Sequence, residues 1–287
     1  MAKVESYLLG MDCGTTNIKA IILGEDGTVV AEASRPSRFI NPGPNMQEQD
    51  ANEWWSNTVD IFRSLAEQAG PDVVKRIRGI SVSSHTVTVL PVDVEGNPVR
   101  NAMTYQDNRS AEELHYIVDT LGFDRFVKIV GGQPAVAFLP NKILWFKKHE
   151  PELYAKTVCF LQASSFINYK LTGKMTMDID QATRTQCLDI STMEWSKEIG
   201  DVIGVDLDEK LPKPRLVDEI IGFVTEEAAE ATGLMEGVPV IAGCSDAMAS
   251  MHATGMSRLG EAGESSGTTS LVFVGSDVKS APDIPVV

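Results

Sequence analysis

The stretch Gly10–Gly24, GMDCGTTNIKAIILG, sets an apolar run, a carboxylate, a Gly-Thr-Thr turn and a second apolar run in immediate succession. Two strands this close can pair only antiparallel, because a parallel pair needs a crossover of a dozen or more residues. A third run, TVVAEASR, follows across the tight turn EDG, so the chain is read as opening on a three-stranded antiparallel meander. Helical and extended signals then alternate. QDANEWWSNTVDIFRSLAEQAG reads as a helix with Trp54, Trp55, Val59, Phe62 and Leu65 on its apolar side, Asp50 or Asn52 as its cap and Gly70 as its stop. RIRGISVSS and TVTVLPVD read as strands, SAEELHYIVDTLG and NKILWFKKHE as helices, and TVCFLQ as a short strand. ASSFINYKLTG reads as a helix closed by Gly173, and TEEAAEATG as one capped by Thr225 and stopped by Gly233. VPVIAG reads as a buried strand, SDAMASMHATG as a helix, and GEAGESSG with SLVFVGS as a closing hairpin. Strands mixed with helices make this an α/β domain on a mixed sheet.

The opening motif recurs. GESSGTTSLVFVG, near the other end of the chain, again places Gly four residues before Gly-Thr-Thr, then one polar residue and an apolar strand closing on Gly. One Gly-Thr-Thr is common; two in the same hairpin setting are not. Glycine lets backbone approach an anion closely, and consecutive turn amides form an anion-binding nest to which threonine hydroxyls add donors. Gly14, Thr15 and Thr16 on one side and Gly267, Thr268 and Thr269 on the other would grip a polyphosphate, with Asp12 placed to hold magnesium or its water shell. Neither a Walker A loop nor a G-x-G-x-x-G turn opening a helix is present. The second hairpin should open a second domain of similar size, so the chain reads as one domain plus the first hairpin of another.

Bulk properties exclude other classes. The net charge of −15 opposes binding to a nucleic-acid backbone, while leaving a small anionic ligand open. No apolar run approaches the ~20 residues that span a bilayer, and the first residues lack the parts of a signal peptide. The four cysteines, Cys13, Cys159, Cys187 and Cys244, are scattered and form no C-x-x-C, which fits a reducing cytoplasm rather than a disulfide or zinc framework.

These residues resemble the first phosphate motif of the actin-like, sugar-kinase superfamily, and more closely the FGGY carbohydrate kinases. MQEQDANEWW, YQDNR, KILWFKKHEPELYAK, the run from FINYKLTG to DISTMEWS, VIAGCSDAMASMHATG and ESSGTTSLVFV are similar to successive family segments. The resemblance implies a ribonuclease H-like fold, with residues 1–256 as the amino-terminal, sugar-binding domain and 257–287 as the first hairpin of a nucleotide-binding domain. It implies ATP and Mg2+ as cofactors, a small sugar or polyol as partner, no membrane, and a homodimer as one expected assembly. A fragment holding half a nucleotide site is expected to turn over little.

Asp246 is the candidate general base: it follows the buried run Val238–Ala242 and begins a helix, whose terminus is expected to favour its ionised form. The resemblance assigns Asp12 to the metal. Lys19 is a candidate phosphate cation, with a solvated lysine an equal reading. Asp107 and Arg109 are assigned to the sugar site, with a helix cap the competing role for Asp107. His85 and Thr86 stand where the family contacts sugar, although a satisfied structural His85 is equally compatible. His115, His149 and His252 read as helix-surface or packing residues. Thr86 and Val87 replace Arg-Glu or Met-His, Ala247 replaces Gln or Asn, and Ala137 and Leu139 break the first signature, so the usual substrates are in doubt. A non-catalytic sugar-binding protein on the same scaffold is the alternative; retention of Asp12 and Asp246 favours the enzyme.

Overall fold

The computed structural model describes residues 4–266 and 270–277. Strands β1 (Tyr7–Cys13), β2 (Asn17–Gly24) and β3 (Val29–Pro36) form the expected antiparallel meander. Helix α1 (Ala51–Ala69) follows, with Asp50 as its cap, accepting from Asn52 N at 2.9 Å, and Gly70 (φ 79°) as its end. Strand β4 (Ile77–Ser84) lies parallel to β1. Helices α2 (Leu139–His149), α3 (Ala163–Thr172) and α4 (Ile179–Arg184) come next. Strands β5 (Ile220–Phe223), β6 (Pro239–Ile241) and β7 (Cys244–Ser245) complete the sheet, helix α5 (Asp246–Ala253) leaves it, and β8 (Ala262–Ser266) pairs with β9 (Ser270–Val274) as a separate hairpin. The sheet order is β5-β6-β4-β1-β2-β3, with β7 also on β4; β1–β2, β2–β3 and β5–β6 are antiparallel, and β4 is parallel to β1, β6 and β7. The sheet is mixed, as expected.

Alternation along β1 decides what each sheet face does. Tyr7, Leu9, Met11 and Cys13 point into the core with Ile18, Ala20 and Ile22 of β2. They meet Trp54, Ile61, Phe62 and Leu65 of α1, and Phe166, Ile167 and Leu171 of α3. Leu8, Gly10 and Asp12 therefore face the other way. A second core, around Phe126, Phe146, Phe160 and Ile199, supports the segments outside the sheet. Among the described residues no helix is long and apolar enough to cross a membrane.

One local expectation changes. TVTVLPVD is extended only over Leu90–Val92, because side chains capture the backbone and hydroxyls before it: Gln162 Oε1 accepts Thr88 N at 2.7 Å and Gln181 Oε1 accepts Thr86 Oγ at 2.8 Å. Helix α5 takes Ser245 as its cap, with Ser245 Oγ accepting Met248 N at 3.2 Å.

Gly243 makes the β6-to-β7 crossing possible. Its φ is +81°, and a Cβ there would lie 2.1 Å from the carbonyl oxygen of Val82 in β4. Gly243→Ala should therefore destabilise the fold by about 1–3 kcal/mol, read as a lower urea midpoint; an unchanged midpoint would mean that β7 does not sit this close to β4.

Asp178 caps α4, accepting Gln181 N at 2.8 Å through Oδ1, while its buried Oδ2 has no hydrogen-bond partner among the described residues. Burial raises its pKa from the ordinary carboxylate value to about 7, with neighbouring Asp180 adding to the rise. A folded-state pKa above the unfolded one means that the folded form holds the extra proton between the two values, so stability falls as pH rises through that window. Asp178→Asn should therefore gain stability over the wild type at pH 8, with the gap closing toward pH 4. A pH-independent gap in urea midpoints would show Asp178 ionised throughout.

Candidate functional site

The outward face of β1 carries Asp12. Register places it opposite Lys19 of β2 and Ser83 of β4. Ser83 Oγ donates to Asp12 Oδ1 at 3.0 Å, and Lys19 Nζ pairs with Oδ2 at 3.3 Å. The Lys19 side chain is 67% exposed and that of Asp12 20%. This is a partly solvated pair at the rim of an opening, with the ammonium on the carboxylate.

The Gly-Thr-Thr turn follows directly. Gly14 N donates to Asn17 O at 3.1 Å, closing the hairpin. A side chain at Gly14 would meet Asn17 O at 2.7 Å and the Asp12 carboxylate at 3.2 Å, so the turn closes only around glycine. Thr15 O is held by Gln49 Nε2 at 2.9 Å and Thr16 O by Ser37 N at 2.9 Å. The hairpin is thus anchored through its carbonyls. Gly267, Thr268 and Thr269 lie outside the described residues; the flanking strands β8 and β9 pair in register from Ala262↔Val274 to Ser266↔Ser270.

Asp246 begins α5, where β7 ends beside β4. It lines the same cleft as Asp12, a space of about 1110 Å³ between the outward sheet face and α5, which Lys19, Ser83, Cys244 and Ser250 also line. The amide of Ala247 donates to Asp246 Oδ1 at 2.7 Å. Oδ2 accepts no hydrogen bond and the carboxylate makes no ion pair among the described residues. The expected effect of the helix terminus is outweighed here. Burial pushes the Asp246 pKa above the ordinary aspartate value, the Ala247 amide opposes the rise, Asp12 adds to it, and His85 and Arg184 lower it. Removal from water disfavours the charge more than one turn of helix favours it.

The other expected sugar-site residues are placed differently. His85 is 1% exposed, and its Nδ1 donates to Cys13 O at 2.9 Å, which leaves Nε2 as a buried acceptor without a partner among the described residues. Burial pushes its pKa below the ordinary histidine value, with the Cys13 carbonyl opposing the fall. The ring meets Trp54 edge-on at 6.0 Å. Thr86 is half-buried and its hydroxyl is spent on Gln181.

Asp107 is fully buried, with both oxygens occupied by Gln47 N and by the amide and guanidinium of Arg109. Arg109 also donates to Glu48 at 2.7 Å and lies over the Trp145 ring at 4.9 Å. Glu48 is shared with Arg100. Asp107 does not cap the following helix. It and Arg109 belong to a buried charge frame that does not line the cleft. Beside this frame Lys142, fully buried, donates to Thr104 O at 2.6 Å and Ala137 O at 2.7 Å, and burial lowers its pKa to about 7.

Several residues around the site went unread in the sequence: Ser83, Gln181, Asp180, Arg184 and Ser245. Asp180 and Arg184 carried one usable sign, opposite charges at i,i+4 on a helix. The partners of the others depend on tertiary approach.

Among the described residues no group of three or more His, Cys, Asp or Glu side chains is arranged to hold a metal by itself. Magnesium is usually bound through one or two carboxylates together with substrate phosphates. Asp12, with one oxygen shared only with an exposed lysine, fits such a ligand.

Comparison with known proteins agrees with this architecture. The chain spans about half the length of the relatives it matches. Xylulose kinase of Bacillus subtilis is 29% identical over 269 residues, covering 93% of this chain and 53% of that protein. L-fuculokinase of Escherichia coli K12 is 31% identical over 276 residues, covering 94% and 57%. The crystal structure of xylulose kinase from Rhodospirillum rubrum superposes with a TM-score of 0.85 at 28% identity, covering 89% of this chain and 52% of that one, which makes the fold that of the actin-like sugar kinases. The model of the amino-terminal domain of the FGGY family of carbohydrate kinases matches residues 7–252. The chain therefore belongs to the FGGY family of carbohydrate kinases.

Proposed function

We propose that this chain supplies the acceptor site of an ATP-dependent sugar or polyol kinase, and that Asp246 is its general base. The observation that carries the reading is the half-buried Asp246 carboxylate: one oxygen is held by the Ala247 amide, the other accepts no hydrogen bond among the described residues, and the residue lines the cleft that Asp12 also lines. Asp246 Oδ2 takes the proton of a substrate hydroxyl as that oxygen attacks the γ-phosphorus of ATP. The bond from phosphorus to the bridging β,γ-oxygen breaks, and ADP carries away its electron pair. A pKa raised by burial suits this step, because a base works best when its pKa approaches the working pH.

The remaining work is positioning and charge. Asp12 would hold the Mg2+ that accompanies ATP, an ion that neutralises phosphate oxygens when bound. Lys19 is exposed enough to move from Asp12 to a phosphate. The Gly14, Thr15 and Thr16 turn at the end of β1 would receive the phosphates through its amides and hydroxyls, and Gly267, Thr268 and Thr269 would face them in the second hairpin. Residues 1–256 would form the sugar-binding domain, with 257–287 beginning the nucleotide-binding one. Asp107 and Arg109 would shape the sugar site from behind, through the 104–109 loop, and His85 would brace Cys13 next to Asp12. Relatives called xylulose kinase and L-fuculokinase suggest a ketose as acceptor. Thr86, Val87 and Ala247 indicate a different pattern of hydroxyl contacts.

Isothermal titration of the chain with xylulose, L-fuculose and glycerol should give saturable binding to one of them. Asp246→Ala should weaken that binding at least ~10-fold, the loss of a hydrogen bond to a charged group. Titration with ATP should depend on Mg2+ in the wild type and lose that dependence in Asp12→Ala. Absence of binding by every sugar, or an Asp246→Ala variant that binds like the wild type, would remove the acceptor site; an unaltered magnesium dependence would remove Asp12 from the metal.

A further inference from the structure

Helix α4 stands directly behind the Asp246 junction, and neither the sequence motifs nor the family assignment gives it a role. Asp178 caps it. Gln181, buried at its centre, donates from Nε2 to Ser84 Oγ at 2.9 Å and accepts the Thr86 hydroxyl. Asp180, also buried, reaches β7 across 65 residues of sequence: its Oδ2 accepts both Ser245 N at 2.9 Å and Ser245 Oγ at 2.5 Å. Its Oδ1 accepts Arg184 Nε at 2.9 Å. Ser245 Oγ in turn accepts Met248 N, closing the first turn of α5.

A buried carboxylate is costly unless it is hydrogen-bonded and neutralised. Asp180 meets both conditions, and Arg184 is its only cation within ion-pair range among the described residues. The Arg184 side chain is 35% exposed, and its two terminal nitrogens make no hydrogen bond among the described residues. Arg184 also lies within electrostatic reach of Asp246 and Cys244. The chain of contacts Arg184–Asp180–Ser245 ends at the peptide that carries Asp246.

We propose that Asp180, neutralised by Arg184, is the positioning residue of this site: by gripping the amide and hydroxyl of Ser245 it fixes the first turn of α5 and with it the direction of the Asp246 carboxylate. The proposal rests on the reading of Asp246 as the group that meets the sugar hydroxyl, and it makes a separate claim about Ser245 that holds or fails without any sugar. Charge-assisted hydrogen bonds to one buried carboxylate are strong and directional. Without them Ser245 keeps its short pairing with Ser84 in β4 and the bond from Met248 N to its hydroxyl, and the turn that aims Asp246 loses its anchor to α4.

Two measurements on the chain test this. In hydrogen exchange, Asp180→Ala should release the Ser245 and Met248 amides at least ~10-fold faster while amides of β1 and β2 keep their protection. Asp180→Asn retains an acceptor for Ser245 and should keep most of that protection, which also guards against a variant that fails to fold. In sugar titration, Asp180→Ala should weaken binding at least ~10-fold, Arg184→Met should weaken it too, and Arg184→Lys, which keeps the charge on Asp180, should restore it. Unchanged exchange at Ser245 in Asp180→Ala would overturn the proposal whatever the sugar does. Faster exchange at Ser245 with wild-type sugar affinity would overturn its link to Asp246 alone. Absence of sugar binding by the wild type itself would strike the acceptor-site reading and leave the exchange result to decide the role of Asp180.

Discussion

Everything at the site depends on the pairing of β1 between β2 and β4. The strand is flanked on both sides, so its register is fixed twice, once antiparallel and once parallel. A slip of one residue would exchange its two faces. Tyr7, Leu9, Met11 and Cys13 would then leave the core, and Asp12 would enter it. The apolar burial under β1 is therefore what holds a carboxylate on the opposite face. Lys19 and Ser83 are consequences of the same registers. The turn beyond Cys13 is equally constrained, because the hairpin closes through Gly14 N and Asn17 O with no room for a side chain between them.

A second frame supports the first from a distance. Glu48, Arg100, Asp107 and Arg109 bring four charges into a largely dry space, with Arg109 stacked on Trp145. Such networks add little net stability over apolar packing, but removal of one member strands the rest at a cost of about 3–5 kcal/mol. Their use is geometric. Asp107 ties the 104–109 loop to Gln47, and Lys142 ties Thr104 to Ala137. Residues whose motif suggests contact with a sugar thus fasten together the loops that would surround one. A motif records that certain residue types occur together; whether they face a ligand or one another is settled by burial.

Most of the scaffold was legible because its signals are local. Asp50 and Thr225 cap helices as read, Gly173 and Gly233 adopt the left-handed conformation that ends them, and the meander follows from three apolar runs with short turns. The convergence of Asp12 and Asp246 on one cleft was legible only through the resemblance to a family. What escaped was set by tertiary approach. TVTVLPVD has the alternation of a strand, yet Thr86 and Thr88 are taken by Gln181 and Gln162, which arrive from later in the chain. Ser245 and Asp246 are both good helix-starting residues, and nothing local says which caps. Asp180 settles it from α4 by holding the Ser245 amide and hydroxyl together. No pattern in residues 244–250 carries that information.

The electrostatics of the cleft separate its acids by their partners. Asp12 has Lys19, and Asp180 has Arg184. Among the described residues Asp246 has no ion-pair partner, and its carboxylate takes one hydrogen bond, from the amide of Ala247. Its desolvation is only partly offset, and its pKa rises above the ordinary aspartate value. A carboxylate locked in an ion pair is a poor proton acceptor, because accepting a proton would forfeit the pair. In the proposed reaction, one acid without an ion pair beside two paired ones would leave a single oxygen open to the substrate proton. Arg184 completes the arrangement by acting on Asp246 through space while its hydrogen bond is committed to Asp180: near enough to moderate the rise, and held too firmly elsewhere to cancel it.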